Sequence, residues 1–563
     1  MNIVFLVLLC AGLLGAGYFF YGRFLRRLFA LDDRVKTPAR EFKDGIDYEP
    51  TPKVYLLGQH LSAIAAAGPI VGPILAGLWF GWLPALIWIV LGGIFIGGVH
   101  DMASLVASLR HRGQSIAEVL RACMGQRAYI LFLLFLWFSL VYIITAFTDI
   151  TASTFVDLER GPAVASSSMM YLTLAILMGF VLKKFNPPLI VSTVVFMPLV
   201  LVCIWLGPFF PLNIPPIFGL DLRATWDVLI LVYCYFASII PVWLLLQPRG
   251  YLGGFFLTLT TVVSFIGLLI GGLFNKFALN FPAFTGWSSP LGLPLFPLLF
   301  VTVACGACSG FHAIVSSGTT AKQIDKESDA RAVGYGGMLL ESFVAIIALC
   351  TLIIISRSDA GKLADPNQIY ANGIAAFLGS LGIERGWALN FALLAFATFV
   401  YDTLDVATRL GRYVSHELTG WRGKLSPFVL TFATLIIPLI FVTRKVVDAN
   451  GNAVPGWKIF WSVFGSSNQL LASLVLLGVS VWMMRSGKKF WVALAPALFM
   501  TLVAVYSLVL IIKPWLGGII IGKPVFDPIS LTAVVLLFLA GMLAIEGVKA
   551  MRQIRSSQGK ETT

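Results

Sequence analysis

Four carboxylates in this 563-residue chain lie within or at the edge of long apolar runs. They are Asp101 in GGVHDMASL, Glu341 in GGMLLESFVAII, and Asp402 and Asp405 in FVYDTLDVATRLGR. Charged side chains inside apolar spans are costly and usually functional, and a buried carboxylate can carry a proton. Asp405 could equally form an ordinary ion pair with Arg409, four residues further along one helix face, and Glu341 could pair with a neighbouring loop. Asp101, Glu341 and Asp405 are therefore candidate proton or ion carriers.

Other polar residues in the apolar runs could bind substrate or a coupling ion. His60, His100 and His312 are candidates because a free imidazole titrates near neutral pH, although a lone histidine is more often a hydrogen-bonded structural residue. Asn468 and Gln469, in FGSSNQLLASL, are predicted to line a pathway or to make interhelical hydrogen bonds. Hydroxyls could contact substrate, coordinate Na⁺, or bond to the i−4 carbonyl of their own helix. These are Ser316, Ser317, Thr319, Thr403 and Thr408.

The stretch GQHLSAIAAAGPIVGPILAG carries two Gly-Pro pairs in an apolar segment, Gly68-Pro69 and Gly72-Pro73. Proline lacks a backbone donor and clashes with the preceding turn, so both pairs are predicted to break the helix. Freed carbonyls are tolerated in a membrane only inside protein or beside a water-filled cavity. The alternative is that these small residues merely permit close helix packing.

A second segment, VACGACSGFHAIVSSGTTAKQ, is interrupted by glycines and small hydroxyl residues. Its Gly310-Phe311-His312 echoes Gly58-Gln59-His60 in the first segment. Interrupted helices in corresponding positions of two halves point to a transporter binding site, with N-terminal half-helix ends favouring a carboxylate and C-terminal ends favouring cations. Cys305 and Cys308 form a C-x-x-C, but no second Cys/His pair accompanies them, so no metal is predicted.

Composition indicates the elements that position these residues. The chain is 58% hydrophobic and 12% charged, with a mean hydropathy of +0.89, which is typical of an all-α polytopic membrane protein. The first apolar run lacks the basic segment of a signal peptide and is predicted to remain as a helix. Fifteen spans are predicted: 3–22, 56–79, 81–108, 128–150, 166–183, 188–207, 226–246, 254–275, 293–318, 334–356, 386–408, 426–443, 462–484, 490–512 and 529–548.

Charge predicts the topology. The net charge of +13 comes from short Lys/Arg-rich segments between apolar runs, a positive-inside pattern rather than a nucleic-acid-binding face. This pattern places the N-terminus outside and the C-terminus in the cytoplasm. The interrupted segments are the second and ninth spans, so they run in opposite directions, as an inverted repeat requires. We expect a peripheral helix and basic loop (1–55), a transport core (56–485), and peripheral helices with a basic tail (486–563).

The motifs GQHLSAIAAAGPIVGPILAG, GGVHDMASL, VACGACSGFHAIVSSGTTAKQ, ESDARAVGYGGMLLESFVAIIAL, TLDVATRLGRY and FGSSNQLLASL occur in this order between about residues 50 and 480. In these motifs the chain resembles the carbon starvation protein A family. The resemblance implies a five-plus-five inverted-repeat (LeuT/APC-like) core with discontinuous helices, and uptake of peptides or pyruvate with protons under nutrient limitation. It assigns Gly68, Pro69, Gly72 and Pro73 to the break of the first core helix, Gly306, Ser309, Gly310 and His312 to that of the sixth, and Thr403 and Asp405 to the eighth.

Together these features predict a secondary active transporter in the bacterial inner membrane, importing a small carboxylate-bearing nutrient. The coupling ion is expected to be H⁺, with Na⁺ as the alternative. No G-x-x-x-x-G-K-[ST] is present, and neither an enzymatic activity nor a cofactor is expected. A channel, an intramembrane protease and a nutrient sensor acting through a partner protein are the competing hypotheses.

Overall fold

The computed structural model describes residues 2–44, 48–65, 67–157, 159–217, 219–290, 292–363, 365–421, 423–444, 446–447, 453–454, 456–521 and 527–561. Within these residues the fold is almost entirely helical. Thirteen helices are long and apolar enough to cross a membrane, and a bent pair, Lys53–Ile64 and Gly68–Phe80, supplies a fourteenth span. The apolar helix Ser426–Val442 has 17 residues and matches the remaining predicted span. All fifteen predicted spans therefore coincide with helices.

In chain order the helices are α1 (Ile3–Phe29), α2a (Lys53–Ile64), α2b (Gly68–Phe80), α3 (Trp82–Arg110), α4 (Gln126–Phe155), α5 (Gly161–Phe185), α6 (Leu189–Phe209), α7 (Leu222–Ile239), α8 (Leu246–Leu273), α9a (Leu295–Val303), α9b (Gly310–Gly318), α10 (Arg331–Ile353), α11 (Arg385–Thr419), α12 (Ser426–Val442), α13 (Gly456–Arg485), α14 (Trp491–Ile520) and α15 (Pro528–Glu561). Shorter helices are Pro38–Glu41, Ile116–Met124, Arg357–Leu363 and Pro366–Gly379. Strands β1 (Val446–Val447) and β2 (Ala453–Val454) pair antiparallel between α12 and α13. Residues 448–452, between the two strands, lie outside the described residues.

The helices pack in a two-fold pattern. The broken helices α2 and α9 cross each other, α3 packs on α10, α4 on α11, and α7 on α12. α8 packs against α2a as α13 packs against α9b, and α8 contacts α11 as α13 contacts α4. The first-half helices α2, α3, α4, α7 and α8 therefore correspond, in this order, to α9, α10, α11, α12 and α13. Corresponding helices have corresponding neighbours. This pattern is a five-plus-five repeat, with α5 and α6 inserted into its first half.

The crossing of the two broken helices is antiparallel. Gly68 faces Cys305, whereas Gly72, one turn later, faces Thr302 and Val303, which come earlier in the chain. A Cβ added at Gly72 would lie 2.9 Å from the carbonyl oxygen of Val303, so glycine is required for the backbones to come this close. The predicted inverted relation between the two interrupted segments is confirmed.

Basic connecting segments lie together on one side of the molecule, which we call the basic face. It comprises segments 23–44, 110–129, 319–331, 412–421 and 485–490. Direct contacts join them: Arg110 Nη2 to Ala30 O (3.2 Å), Arg40 Nε to Asp325 Oδ1 (2.7 Å), Arg485 Nη1 to Ala122 O (2.9 Å), Lys488 Nζ to Leu28 O (3.3 Å) and Tyr129 Oη to Glu417 Oε2 (2.8 Å).

Three helices contain a π turn, and the three turns meet. They are Gly17–Tyr21 in α1, Gly93–Gly97 in α3 and Arg331–Tyr335 in α10. The buried Tyr335 hydroxyl donates to the Ile94 carbonyl oxygen at 3.2 Å, inside the π turn of α3. A π turn misaligns one carbonyl in the helical ladder, and here a side chain from a neighbouring helix binds one such group.

Candidate functional site

The interruption of α9 is held by two side chains of α13. Asn468 Oδ1 accepts from the Phe311 backbone N–H at 3.1 Å, and its Nδ2 donates to Ser309 Oγ at 3.0 Å. Gln469 Nε2 donates to the Cys308 carbonyl at 3.0 Å. Asn468 and Gln469 were predicted either to line a pathway or to make interhelical hydrogen bonds, and the structure shows interhelical hydrogen bonds. The N-terminus of α9b is consequently already capped, which leaves a carboxylate less access to this helix end.

The interruption of α2 precedes its first Gly-Pro pair. Ala66 lies outside the described residues, and Gly68 and Pro69 form the first turn of α2b, where a missing donor is harmless. Pro73 lies inside α2b, so the prediction of a second break at Gly72-Pro73 is wrong. A membrane helix tolerates an internal proline when its neighbours compensate, and Gly72 serves the close crossing with α9 instead.

The two glycines of the second interruption also permit close approach. A Cβ on Gly306 would lie 2.8 Å from Ala345 Cβ, and one on Gly310 would lie 2.6 Å from the Asn468 carbonyl oxygen. Small-residue packing, the alternative interpretation, therefore accounts for these glycines as well as for Gly72.

Three predicted residues from three helices meet in the Asp101 cluster, defined as Asp101, His312 and Glu341. Asp101 Oδ2 lies 2.8 Å from His312 Nδ1, and its Oδ1 lies 2.7 Å from Nδ1 of His100. His312 Nε2 approaches Glu341 Oε2 at 3.1 Å, without hydrogen-bond alignment, so neither oxygen of Glu341 has a hydrogen-bond partner. All four side chains are fully buried. An imidazole between two carboxylates can hold a proton that either neighbour could exchange.

His60 occupies a different position from the one that the sequence echo suggested. It precedes the interruption of α2, whereas His312 follows that of α9, so the two are not equivalent in the repeat and the echo is coincidental. His60 Nδ1 pairs with Thr320 Oγ1 at 2.9 Å, and its Nε2 has no hydrogen-bond partner. Because α2 and α9 are antiparallel, both histidines nevertheless lie in the half of the protein nearer the basic face.

A second buried set, the Arg249 cluster, consists of Arg249, Tyr233, Asp402, Asp405 and Ser62. The Arg249 guanidinium forms an ion pair with Asp405, and its Nε lies 3.2 Å from Asp402 Oδ1. Tyr233 Oη donates to Asp405 Oδ2 at 2.8 Å, and Ser62 Oγ donates to Asp402 Oδ2 at 3.2 Å. The cluster joins α2a, α7, α8 and α11.

Arg249 was missed by sequence reasoning, which assigned QPRG to a basic loop. α8 begins at Leu246 rather than near 254, so Arg249 lies inside a helix and is only 3% exposed. The alternative of an ion pair between Asp405 and Arg409 is wrong: the Arg409 guanidinium donates to the carbonyl oxygens of Ala237 and Ile240, at 2.7 Å each. The signal available was two buried aspartates that required a cation from another helix.

The candidate hydroxyls divide into two groups. Thr403, Thr319 and Ser317 bond back to the carbonyls of Phe399, Val315 and Ala313, at 3.4, 3.0 and 2.7 Å, as the structural alternative predicts. Ser317 Oγ also accepts from Ile116 N at 2.9 Å. Ser316 and Thr408 are buried, and their hydroxyls have no hydrogen-bond partner. Among the described residues, no three His, Cys, Asp or Glu side chains are arranged to hold a metal ion.

A cavity of about 790 Å³ opens on the basic face beside Tyr48, Lys322 and Glu417. Its walls come from α2a, α4, α8, α9b and α11, and its lining includes His60, Ser62 and Asp402. The cavity therefore contacts the Arg249 cluster through Asp402 and Ser62, whereas the Asp101 cluster is absent from its lining. The volume lies within the usual range for small-molecule sites.

Comparison with known proteins identifies the family. Residues 2–369 and 361–507 match the family described as carbon starvation protein CstA. The chain belongs to the CstA family. The peptide transporter CstA of Helicobacter pylori (strain ATCC 700392 / 26695) is 32% identical over 91% of this chain and 82% of its own length. The pyruvate/proton symporter BtsT of Escherichia coli (strain K12) is 29% identical over 87% of this chain and 79% of its own.

Two solved structures resemble this CstA family member at low identity. The Eremococcus coleocola manganese transporter, in complex with an aromatic bis-isothiourea substituted compound, is 14% identical, with a TM-score of 0.46 over 91% of this chain and 99% of that chain. MhsT in complex with L-phenylalanine is 12% identical, with a TM-score of 0.48 over 89% of this chain and 99% of that chain.

Proposed function

We propose that this CstA family member imports small carboxylate-bearing nutrients, short peptides or pyruvate, by proton-coupled secondary transport during carbon starvation. The observation that carries the proposal is the cavity of about 790 Å³, which reaches a buried ionisable cluster beside two broken, antiparallel helices. The names of the relatives, peptide transporter and pyruvate/proton symporter, support both substrate classes and the proton. The chain is a transporter and not an enzyme.

The proposed location is the bacterial inner membrane, with the basic face in the cytoplasm. Lys and Arg are enriched in cytoplasmic loops of membrane proteins, and five Lys/Arg-containing segments meet on this face. The N-terminus then lies outside, the C-terminus lies in the cytoplasm, and the cavity is open inward. Residues 56–485 form the transport core in this proposal, with 1–55 and 486–563 at its periphery.

In the proposed cycle, substrate occupies the cavity between α2a and α9b, and movement of one half of the repeat against the other exposes it to either side. The proton is carried by a buried carboxylate, in either the Asp101 cluster or the Arg249 cluster. The ionisable side chains Asp101, His312, Glu341, Arg249, Asp402 and Asp405 are each at most 5% exposed. Both clusters join helices from both halves of the repeat, so a change in their charge alters the packing of one half on the other.

Uptake into proteoliposomes tests this function. Labelled pyruvate and labelled dialanine are supplied with an imposed pH gradient, an imposed Na⁺ gradient, or neither. We expect accumulation above the external concentration with the acidic side outside. Accumulation driven only by a Na⁺ gradient would show that Na⁺, and not the proton, is the coupling ion. Equilibration without accumulation would indicate a channel. Failure to take up either compound would contradict the substrate class.

A further inference from the structure

The Arg249 guanidinium is shared unequally by two carboxylates. Asp405 pairs with it directly, also accepts from Tyr233, and is 1% exposed. Asp402 lies 3.2 Å from Nε but is not aligned to accept from it, so Nε has no hydrogen-bond partner. A buried guanidinium N–H without an acceptor is costly, and an incoming carboxylate could satisfy it.

Asp402 is also the carboxylate of this pair that substrate can reach. It lines the cavity together with Gln247 and Gly250, which lie next to Arg249 on α8, whereas Asp405 is absent from the cavity lining. Gly253 of α8 faces Asp402, and a Cβ added at Gly253 would collide with Oδ2 of Asp402. The Asp402 carboxylate therefore occupies space that any larger residue at position 253 would fill. Asp402, the carboxylate held less tightly by Arg249, therefore lies at the deep end of the cavity, away from its opening on the basic face.

We propose that Arg249 binds the carboxylate of the substrate, and that Asp402 releases the guanidinium and takes up a proton as it does so. The inference rests on the proposed function, which supplies the carboxylate. Before binding, one guanidinium and two aspartates give a net charge of −1. After binding, the substrate carboxylate and Asp405 remain ionised, and one proton from cavity water sits on Asp402, so the charge is again −1. Each carboxylate therefore brings one proton into the site.

The buried setting favours this exchange over simple addition. A third carboxylate beside Arg249 would leave two uncompensated negative charges in a medium of low dielectric constant, which protonation of one carboxylate relieves. The charged or titratable groups around Asp402 and its partner Asp405 are Arg249 on α8, Arg409 and Tyr401 on α11, Tyr233 and Cys234 on α7, and Tyr171 on α5. Asp402 is the carboxylate of this set on the cavity wall, and so the one that exchanges with cavity water.

Arg249 is absent from the cavity lining, so substrate reaches its guanidinium only when Asp402 moves aside. Arg409 is the competing anchor, because it lines the cavity. Its guanidinium is held by two backbone carbonyls at the end of α7, so it has no carboxylate to release. A substrate bound there would bring no proton by this route. Proton uptake on binding therefore distinguishes the two arginines.

The test measures binding and proton uptake in the purified full-length protein in weakly buffered detergent solution with a pH indicator. Pyruvate and dialanine are compared with their amides, pyruvamide and alanyl-alaninamide. We expect the wild type to bind the acids at least about tenfold more tightly and to take up about one proton per acid bound. Arg249→Gln should lose the preference for acids, and Asp402→Asn should bind acid without taking up a proton.

Two further variants control for folding. Arg223→Gln breaks another helix-linking Arg–Asp pair, with Asp149 at 2.6 Å, away from the cavity lining, and should leave the acid preference and the proton uptake unchanged. If Arg249→Gln alone does not fold, Arg249→Gln/Asp405→Asn removes both charges of the direct pair and should still lose the preference.

Three outcomes overturn the inference. If Arg249→Gln keeps the preference for acids and Arg409→Gln loses it, Arg409 and not Arg249 binds the substrate carboxylate. Acid binding by the wild type without proton uptake removes the exchange at Asp402, and the proposed function stands if proteoliposomes still accumulate the acids. Absence of both binding and uptake for pyruvate and dialanine overturns the proposed function and the inference together.

Discussion

Arg249 of α8 and Asp405 of α11 form a buried ion pair that joins the two halves of the repeat, across 156 positions of sequence. The two side chains are 3% and 1% exposed. Removing one partner of such a pair leaves an uncompensated charge and typically costs about 3–5 kcal/mol. The pair therefore contributes to the stability of the fold and couples the charge of the site to the packing of one half on the other.

Asp405→Asn should reduce uptake driven by a pH gradient more than it reduces thermal stabilisation by substrate. Arg249 keeps its charge and can still bind a carboxylate, but the direct pair that couples the charge of the site to the packing of the two halves is lost. Proteoliposome uptake and substrate-dependent melting temperatures measure the two effects. Equal loss of both would indicate that Asp405 is purely structural.

His312→Ala should abolish most gradient-driven uptake and change its dependence on pH. The imidazole lies 2.8 Å from Asp101 and 3.1 Å from Glu341, so its removal leaves two buried carboxylates without a cation between them. We expect a loss of about 3–5 kcal/mol in stability, reduced when Glu341→Gln is added. Unchanged transport with an unchanged pH profile would exclude His312 from the mechanism.

Gly72→Ala should destabilise the protein, because its Cβ would meet the backbone of α9 at the helix crossing. Overpacking of this kind costs about 1–3 kcal/mol and would lower the melting temperature. Gly58→Ala in α2a is the matched control, since a Cβ there meets nothing within 4 Å. Equal melting temperatures for the two variants would contradict the close crossing.

The pair between Arg40 and Asp325 should loosen at low pH. Its hydrogen bonds lower the pKa of the Asp325 carboxyl, so the pair stabilises the folded protein above the usual aspartate pKa and is lost as pH falls through the lowered one. Arg40→Gln should open the same contact at neutral pH. A pair of spin labels, one in segment 33–39 and one in 324–330, would report this as a longer distance between the labels. A distance that is insensitive to both changes would show that other contacts hold the two segments.

The sequence predicted the helices well because the length of an apolar run is a local signal. It failed on Arg249, since an arginine at the start of an apolar run looks like a loop residue unless its partner is known. That partner, Asp405, is distant in sequence and belongs to the other half of the repeat.

The two other failures have the same origin. Pro73 remains in a helix because neighbouring helices support it, which local propensity does not register. The match between Gly58-Gln59-His60 and Gly310-Phe311-His312 failed because the first lies before the break of its helix and the second lies after it. Equivalent residues of an inverted repeat must lie on the same side of the break in chain order. The cluster of Asp101, His312 and Glu341 was partly foreseen, since buried ionisable residues were singled out, but their mutual distances depend on three separate helices.

The π turns of α3 and α10 bear on where Asp101 and Glu341 point, since Asp101 follows the turn Gly93–Gly97 and Glu341 follows Arg331–Tyr335. A π turn holds one residue more than an α turn, and each residue of an α-helix accounts for about 100° of rotation. If the π turn of either helix lay beyond the carboxylate instead of before it, Asp101 or Glu341 would be rotated by about 100° away from His312, with the helix ends in the same place. The surplus residue in each helix thus sets the rotation at which Asp101 and Glu341 face His312.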